Sequence, residues 1–470
     1  MRAKYYITTA IDYCNDVIHV GHAYQKVVAD VYARYHRLIG DRVFFLTGTD
    51  EYGSKAEQTA KEQHLTPKEL VDKVSVKDKE QLTALQISYD RFIRTTDKDH
   101  TESVQTFWKK SKEKGDIYLG DFTGYYCVGC ESYVTESDLV DGLCPYHKKK
   151  PIQLTEKNYF FRWSKYRSFL TKHIQSHSLF VLPEKRRNEM LSFLEKGLSD
   201  IPISRTSVSW GIPVPDSPGH VVYVWFDALI NYLTGAPTGY WPADLHLLGL
   251  DNVRFHALLW PAMLESAGYE LPKTVYGHGF FTLAGQKISK SLGNIIRPTE
   301  LTSVYGSDAV RYYLLKIKPL SDDGDISLET LRAMYHGDLS NGLGNIVLRL
   351  TKLAETLRLK GLEPRKEHVF QKPSSKKAYR AFLEYRPHET VQDLAQRLKD
   401  LDKRIEEDKP WELLKTSPQR ATEKIRASLE ELYELAVLLE PFIPSASHSI
   451  QSNLTASRIE TKPPLFPRLP

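Results

Sequence analysis

Three patterns predict a doubly wound parallel α/β sheet, split by an insertion and followed by a helical bundle. Strand and helix patterns alternate over residues 1–115, break into short strands and turns over 116–218, and resume over 219–294. After a connecting segment, 295–335, the apolar period becomes helical through 336–470. A chain of 470 residues is long enough for several cores of this kind.

The apolar run Tyr5-Tyr6-Ile7-Thr8 reads as the first strand, and the spacing predicts a helix from Ala23 to Leu38. Val43 to Thr47 is the next strand, and a helix follows Pro67 to about Leu85. In the second half, Val221 to Phe226, Leu245 to Leu248 and Thr274 to Gly277 read as strands. Three helical stripes then follow: Leu339, Leu343, Ile346, Val347, Leu350, Leu353 and Leu357; Val391, Leu394, Ala395, Leu398, Leu401 and Ile405; and Ile425, Leu429, Leu432 and Val437 to Leu439. Gly361 to Ser375, with two prolines, reads as a loop between helices.

Composition narrows the function classes. Lys+Arg 64 against Asp+Glu 59 gives a net charge of only +5, so a nucleic-acid partner is suggested only locally, for example by nine Lys/Arg against three Glu between Lys352 and Arg380. The amino end carries no leader pattern, and no apolar run is long enough to span a bilayer, so a cytoplasmic protein without a membrane partner is expected. Four cysteines exclude a disulfide framework.

Two short strings point to a bound nucleotide. His19-Val20-Gly21-His22 sits between a strand and a helix, where backbone N–H groups and the helix dipole favour phosphate; Gly21 lets a ligand lie against the backbone, and both imidazoles can donate to phosphate oxygens. Far downstream, Lys287-Ile288-Ser289-Lys290-Ser291 places two ammonium groups around Ser289, which suits the charge on a departing pyrophosphate. The expected ATP site is therefore His19, Gly21, His22, Lys287, Ser289 and Lys290, with the two histidines and two lysines catalytic.

Cys127-x-x-Cys130 and Cys144-x-x-His147, 13 residues apart, supply two ligand pairs on tight turns. That spacing predicts one tetrahedral Zn²⁺ per chain, structural because four protein ligands close its coordination sphere.

With these pieces in hand, the chain resembles the class I aminoacyl-tRNA synthetases, and more narrowly the bacterial methionyl-tRNA synthetases with one zinc knuckle. The resemblance is carried by Tyr5 to Ala10 with His19-Val20-Gly21-His22, by Phe45-Leu46-Thr47-Gly48-Thr49-Asp50-Glu51, by Trp210-Gly211-Ile212-Pro213, by Tyr223-Val224-Trp225-Phe226-Asp227-Ala228, by Arg254-Phe255-His256, by Gly277-His278-Gly279 and by the lysine segment. It implies a Rossmann-like catalytic domain over 1–115 and 219–294, a connective insertion over 116–218 bearing the zinc knuckle, a stem-contact segment over 295–335 and an anticodon-binding helical domain over 336–470. The implied reaction activates L-methionine with ATP to methionyl-adenylate and pyrophosphate, then transfers methionyl to the 3′ end of tRNA(Met). Mg²⁺ is expected with ATP, bound mainly by phosphates.

Carried over by position, the resemblance places a methionine pocket at Ala10, Ile11, Tyr13, Trp225, Ala228, Tyr232 and His256, with Asp50 on the α-ammonium. Aromatic faces and an imidazole donor suit a thioether. Anticodon bases are assigned to Asn345, Arg349 and Trp411, an amide, a guanidinium and a stacking surface. Leu250 stands where the family has lysine and Asn252 where it has isoleucine. The chain lacks the appended tail that makes some members dimers, so a monomer is expected. A small nucleotidyltransferase sharing the histidine helix would lack the helical domain and the knuckle; a non-catalytic tRNA-binding relative would not need both histidines and both lysines.

Overall fold

The computed structural model describes residues 2–134, 136–145, 148–288, 293–363 and 366–469, without the side chains of Ser137, Lys287 and Glu367. Two compact units emerge, one from 1–18, 42–80 and 88–278, the other from 19–41, 81–87 and 279–470.

The first unit is built on the expected parallel sheet. Strand Lys4–Thr9 pairs with Arg42–Asp50 on one side and Leu245–Gly249 on the other, and the sheet continues through Val275–His278 to Val181–Leu182. Leu46 pairs with both Thr8 and Arg91, so Arg91–Arg94 lies along the far edge of Arg42–Asp50, while Asp12–Tyr13 pairs with the last two residues of that strand. Leu245–Gly249 is buried throughout, which is how a parallel strand covered on both faces must be composed. The carboxyl ends of Lys4–Thr9 and Arg42–Asp50 deliver Ala10 and Asp50 to the same end of the sheet, where doubly wound folds bind their ligands.

The insertion departs from the expected short strands and turns. It contains an antiparallel sheet in the order Ser132–Val134, Ile117–Cys127, Ile152–Phe161, Ile201–Pro202, whose two long strands pair from Ile117↔Phe161 to Tyr126↔Ile152. Their periodicity was masked because both faces carry aromatics, as in the stacked Tyr118–Phe160 pair at 5.5 Å. Helices Arg167–Ser176 and Glu184–Glu195 follow, and between them Val181–Leu182 returns to the edge of the main sheet. A second correction concerns Val221 to Phe226. Only Val221–Val222 is a strand; Val224–Ala228 is a short helix, fixed by Asp227 N–H bonding to Tyr223 C=O at 3.1 Å.

The second unit holds the helix Val20–Leu38 together with the carboxyl-terminal helices. Asp30 and Arg311, both fully buried, pair at 2.7 Å, and the Arg311 guanidinium also donates to the carbonyls of Leu85, Pro441 and Phe442. Further along the same helix, Tyr32 stacks on Phe382 at 4.2 Å and Tyr35 on Tyr379 at 4.8 Å. The second and third stripes become Pro387–Asp408 and Pro418–Leu439, with the predicted residues on their buried faces. Gly361 to Ser375 is less of a loop than expected, because Lys366–Val369 and the start of Pro373–Leu383 are helical. The connecting segment is mostly helix: Pro298–Tyr305, Ser307–Lys316 and Leu328–Met334.

Among the described residues, no helix is long and apolar enough to cross a membrane.

Candidate functional site

The helix bearing the histidine motif starts earlier than its apolar period suggests, at Val20 rather than Ala23, so Val20, Gly21 and His22 form its first turn. His19 is the cap. Its Nδ1 accepts from Gly21 N–H at 3.1 Å, while His22 Nδ1 accepts from His19 N–H at 3.3 Å, and the two rings pack 3.9 Å apart. Each Nδ1 is thus an acceptor, which in the neutral ring places the proton on Nε2 and makes both histidines donors at that atom. Gly21 is constrained by its neighbour, since a Cβ there would come within 3.0 Å of His19 Cε1.

The lysine segment and the chain that follows it both reach this turn. Val20 N–H donates to Ile296 C=O at 2.9 Å, and Ile288 Cδ1 would lie 3.8 Å from a Cβ on Gly21. Lys287 ends a small hairpin, pairing opposite Thr282 of strand Phe281–Leu283, which in turn pairs with Gly324–Ile326. Lys318, buried beneath that strand, donates to Gly279 C=O at 3.2 Å and lies 4.6 Å from the ring of Tyr24. Burial pushes its pKa down to about 7. Ser289 and Lys290 lie outside the described residues.

In the first unit the residues assigned to methionine come together. Tyr13 meets Trp225 edge-on at 6.4 Å, and Trp225 meets His256 edge-on at 6.3 Å. Ala10, Trp225 and Tyr232 belong to one buried apolar cluster, with Ile11 and Tyr13 packed against it, and Ala228 is buried at the end of the Val224–Ala228 helix. A π-type turn over Phe255–Leu259 presents Phe255 and His256 consecutively. Phe255 lies flat on Trp225 at 3.8 Å, a contact that no spacing in the chain signals.

His256 Nδ1 bonds Asn252 C=O at 2.9 Å, and Nε2 is 2.6 Å from Tyr232 Oη. A carbonyl can only accept, so Nδ1 carries the proton and Nε2 accepts from the tyrosine hydroxyl. Both nitrogens are therefore engaged within the protein, which removes the imidazole as the expected donor to a thioether. Asn252 contributes to the site through its backbone carbonyl.

Asp50 is nearly sealed from solvent and its Oδ1 has no hydrogen-bond partner. Burial first, then the carboxylates of Glu131 and Glu51, raise its pKa well above the ordinary value. A buried carboxylate oxygen left without a partner is costly, and a cation beside it would relieve that cost.

Burial also pushes His256 down to about 4 and His100 to about 3, from an ordinary value near 6.5. The unfolded chain takes up protons below pH 6.5 that these folded rings refuse, so each ring makes stability fall with falling pH. Chemical denaturation at pH 7 and pH 5 is expected to show a loss of about 2 kcal/mol per ring. A flat profile over that range contradicts the burial of neutral rings.

The three cysteines Cys127, Cys130 and Cys144 place their sulfurs within 4.8 Å of one another, with Cys130 and Cys144 at 3.5 Å. That spacing is too long for a disulfide and fits thiolates converging on one cation. Hydrogen bonding to Cys127, then burial, pushes the Cys130 thiol far up, the penalty a bound cation relieves. His147 lies outside the described residues.

In the helical region Asn345 and Arg349 sit one turn apart on Asn345–Thr356, and the Arg349 guanidinium lies 5.3 Å from the Trp411 ring centre. Arg349 is also held by Asp402 at 2.9 Å and Glu406 at 2.7 Å. Trp411 is half-buried and Asn345 exposed, so neither is a bundle-core residue.

Comparison with known proteins converges on one family. The family model for "tRNA synthetases class I (M)" matches residues 5–153 and 138–351, and that for "Anticodon binding domain of methionyl tRNA ligase" matches 392–463. A methionine–tRNA ligase of Thermotoga maritima is 42% identical over 95% of this chain and 74% of its own length. One from Rickettsia felis is 39% identical over 98% of this chain and 94% of its own. The solved structure of Mycobacterium tuberculosis methionyl-tRNA synthetase in complex with methionyl-adenylate superposes with a TM-score of 0.92 at 37% identity, covering 100% of both chains. Its own parallel-sheet core, cysteine-bearing insertion and carboxyl-terminal helical region, together with these matches over nearly the whole chain, show that the chain belongs to the class I methionyl-tRNA synthetases.

Proposed function

We propose that this methionine–tRNA ligase activates its amino acid with the His19–His22 turn and the Lys287–Lys290 segment acting on one ATP, and with methionine held by Asp50 and the Trp225 aromatic group. The observation that carries this reading is the meeting, within one unit, of the histidine turn with Ile288 of the lysine segment and with Ile296 just after it. In the reaction the methionine carboxylate attacks the α-phosphorus in line, the bond to the bridging oxygen breaks, and pyrophosphate leaves. The 3′-terminal ribose hydroxyl of tRNA(Met) then attacks the acyl carbon, releasing AMP. No covalent enzyme intermediate is needed, so the protein supplies position and charge.

In this scheme the Nε2–H groups of His19 and His22 donate to phosphate oxygens as charge grows on them, Gly21 admits the nucleotide against the backbone, and Lys287, Ser289 and Lys290 close on the departing pyrophosphate. Ala10, Ile11, Tyr13, Ala228 and Tyr232 shape the thioether pocket around Trp225, with His256 as a neutral wall. Mg²⁺ accompanies ATP through the phosphates. Cys127, Cys130, Cys144 and His147 would hold one Zn²⁺, which when bound fixes the insertion's turn. Asn345, Arg349 and Trp411 offer an amide, a guanidinium and a stacking face to anticodon bases. The enzyme is taken to be a cytoplasmic monomer divided at the boundaries expected above.

Methionine-dependent exchange of pyrophosphate into ATP, run against a panel of amino acids, tests the reading. Exchange with methionine alone is expected, and exchange with another amino acid or with none rejects it. Lys290→Ala should lower that exchange by about tenfold or more while equilibrium methionine binding without ATP stays within about twofold. Equal losses in both remove Lys290 from the pyrophosphate role.

A further inference from the structure

The helix Ser54–Glu62 begins just after Asp50, and Gly53 at its cap position has φ 104° and no side chain to satisfy the first-turn amides. The missing cap comes from the metal knuckle. Glu131, adjoining Cys130, accepts from Lys55 N–H through Oε1 at 2.5 Å and from Ser54 Oγ through Oε2 at 2.9 Å. A carboxylate at a helix amino end satisfies both orphan donors and dipole.

The same turn of chain also holds the other wall of the pocket. Tyr126 Oη donates to Glu131 Oε2, and Tyr223 Oη donates to the Glu131 carbonyl at 2.6 Å. The neighbouring Cys130 carbonyl accepts from Trp225 Nε1 at 3.4 Å. Glu131 is 1% exposed and adopts a left-handed φ of 51°, a conformation that a glutamate keeps only where its surroundings over-determine it. Two consecutive residues, Cys130 and Glu131, thus fasten both the segment after Asp50 and the Tyr223–Trp225 segment.

We propose that Glu131 is a positioning residue for methionine: by capping the helix after Asp50 and bracing Tyr223, it ties the cysteine cluster to the geometry of the amino-acid pocket. The proposal rests on the assignment of Asp50 and Trp225 to methionine. Glu131 touches no substrate; it acts through the placement of groups that do.

The experiment compares metal-loaded wild type, Glu131→Ala and Glu131→Gln, with Asp50→Asn as a reference. Glu131→Ala is expected to keep its metal content by atomic emission, to raise KM for methionine about tenfold and to leave KM for ATP within about twofold. Hydrogen–deuterium exchange should quicken over residues 54–58. Glu131→Gln, whose amide oxygen can still accept from Lys55 N–H, should recover most of the methionine affinity and of the exchange protection. Unchanged methionine KM, an equal rise in both KM values, loss of the metal in both variants, or no rescue by glutamine overturns the proposal. If Asp50→Asn leaves methionine KM unchanged, it is the pocket assignment that fails, whatever Glu131 does.

Discussion

Replacing His22 by alanine is expected to lower methionine-dependent pyrophosphate–ATP exchange about a thousandfold, with methionine affinity measured without ATP altered by less than about twofold. The size follows from what the first turn of Val20–Leu38 arranges. Gly21 and His19 N–H groups occupy the two Nδ1 atoms, so each neutral imidazole is left with its proton on Nε2 and cannot rotate to another tautomer without losing its cap bond. In the proposed scheme these two donors at a helix amino end would face the charge that increases as the α-phosphorus becomes five-coordinate. Removing one forfeits an interaction strongest in the transition state, so kcat should fall with little change in substrate KM. His22 is exposed, and loss of its share of the capping box should cost the fold only about 1 kcal/mol, measurable by urea denaturation. Parallel losses in exchange and in methionine binding would instead mean that the turn had collapsed.

Asp50→Asn is expected to raise KM for methionine by a factor of about a hundred or more while making the ligand-free protein more stable by about 1 kcal/mol. Both effects come from the same fact: a buried carboxylate oxygen without a partner. In the free enzyme burial and the nearby Glu131 and Glu51 penalise its charge, and asparagine escapes that penalty. In the proposed pocket the α-ammonium of bound methionine would supply the missing charge, which an amide cannot match. Thermal melts with and without methionine separate the two terms, since the wild type should gain more from ligand than the variant does. A variant that is destabilised, or that binds methionine normally, rejects this role for Asp50.

The architecture was legible where composition and periodicity agree. The buried strands around Ile7, Phe45 and Leu247 and the stripes through Leu394 and Leu432 are read directly from apolar spacing, because burial on both faces, or on one helical face, leaves few other compositions. Val221 to Phe226 reads as a strand because an apolar β-branched run suits one, but Tyr223 N–H is held by the distant Ile203 carbonyl while the Tyr223 carbonyl accepts from Phe226 and Asp227 N–H and opens a helical turn. The long insertion strands were hidden by aromatics on both faces. The convergence of the three cysteines was visible from their spacing, and the turn from His19 to His22 from its place between a strand and a helix. Glu131 was not: its role depends on reaching Ser54 and Lys55, and neither separation nor periodicity carries that signal. Likewise the tautomer of His256 follows from the carbonyl of Asn252, four residues earlier in the 3₁₀ turn that precedes the π-type turn, a geometry no residue pattern specifies.

The helix Val20–Leu38 has its histidines at one end and, toward the other, Tyr32 and Tyr35 clasped by Phe382 and Tyr379, with Asp30 pinned by Arg311 between them. At a rise of about 1.5 Å per residue it is a rod about 28 Å long. A tilt of only about 2° about its far end would swing the imidazoles by about 1 Å, a displacement of the order that degrades phosphoryl chemistry a hundredfold. On the proposed role of the histidines, trimming a ring in this distant clasp is expected to be felt as a lever would feel it, through slower adenylate formation at the opposite tip.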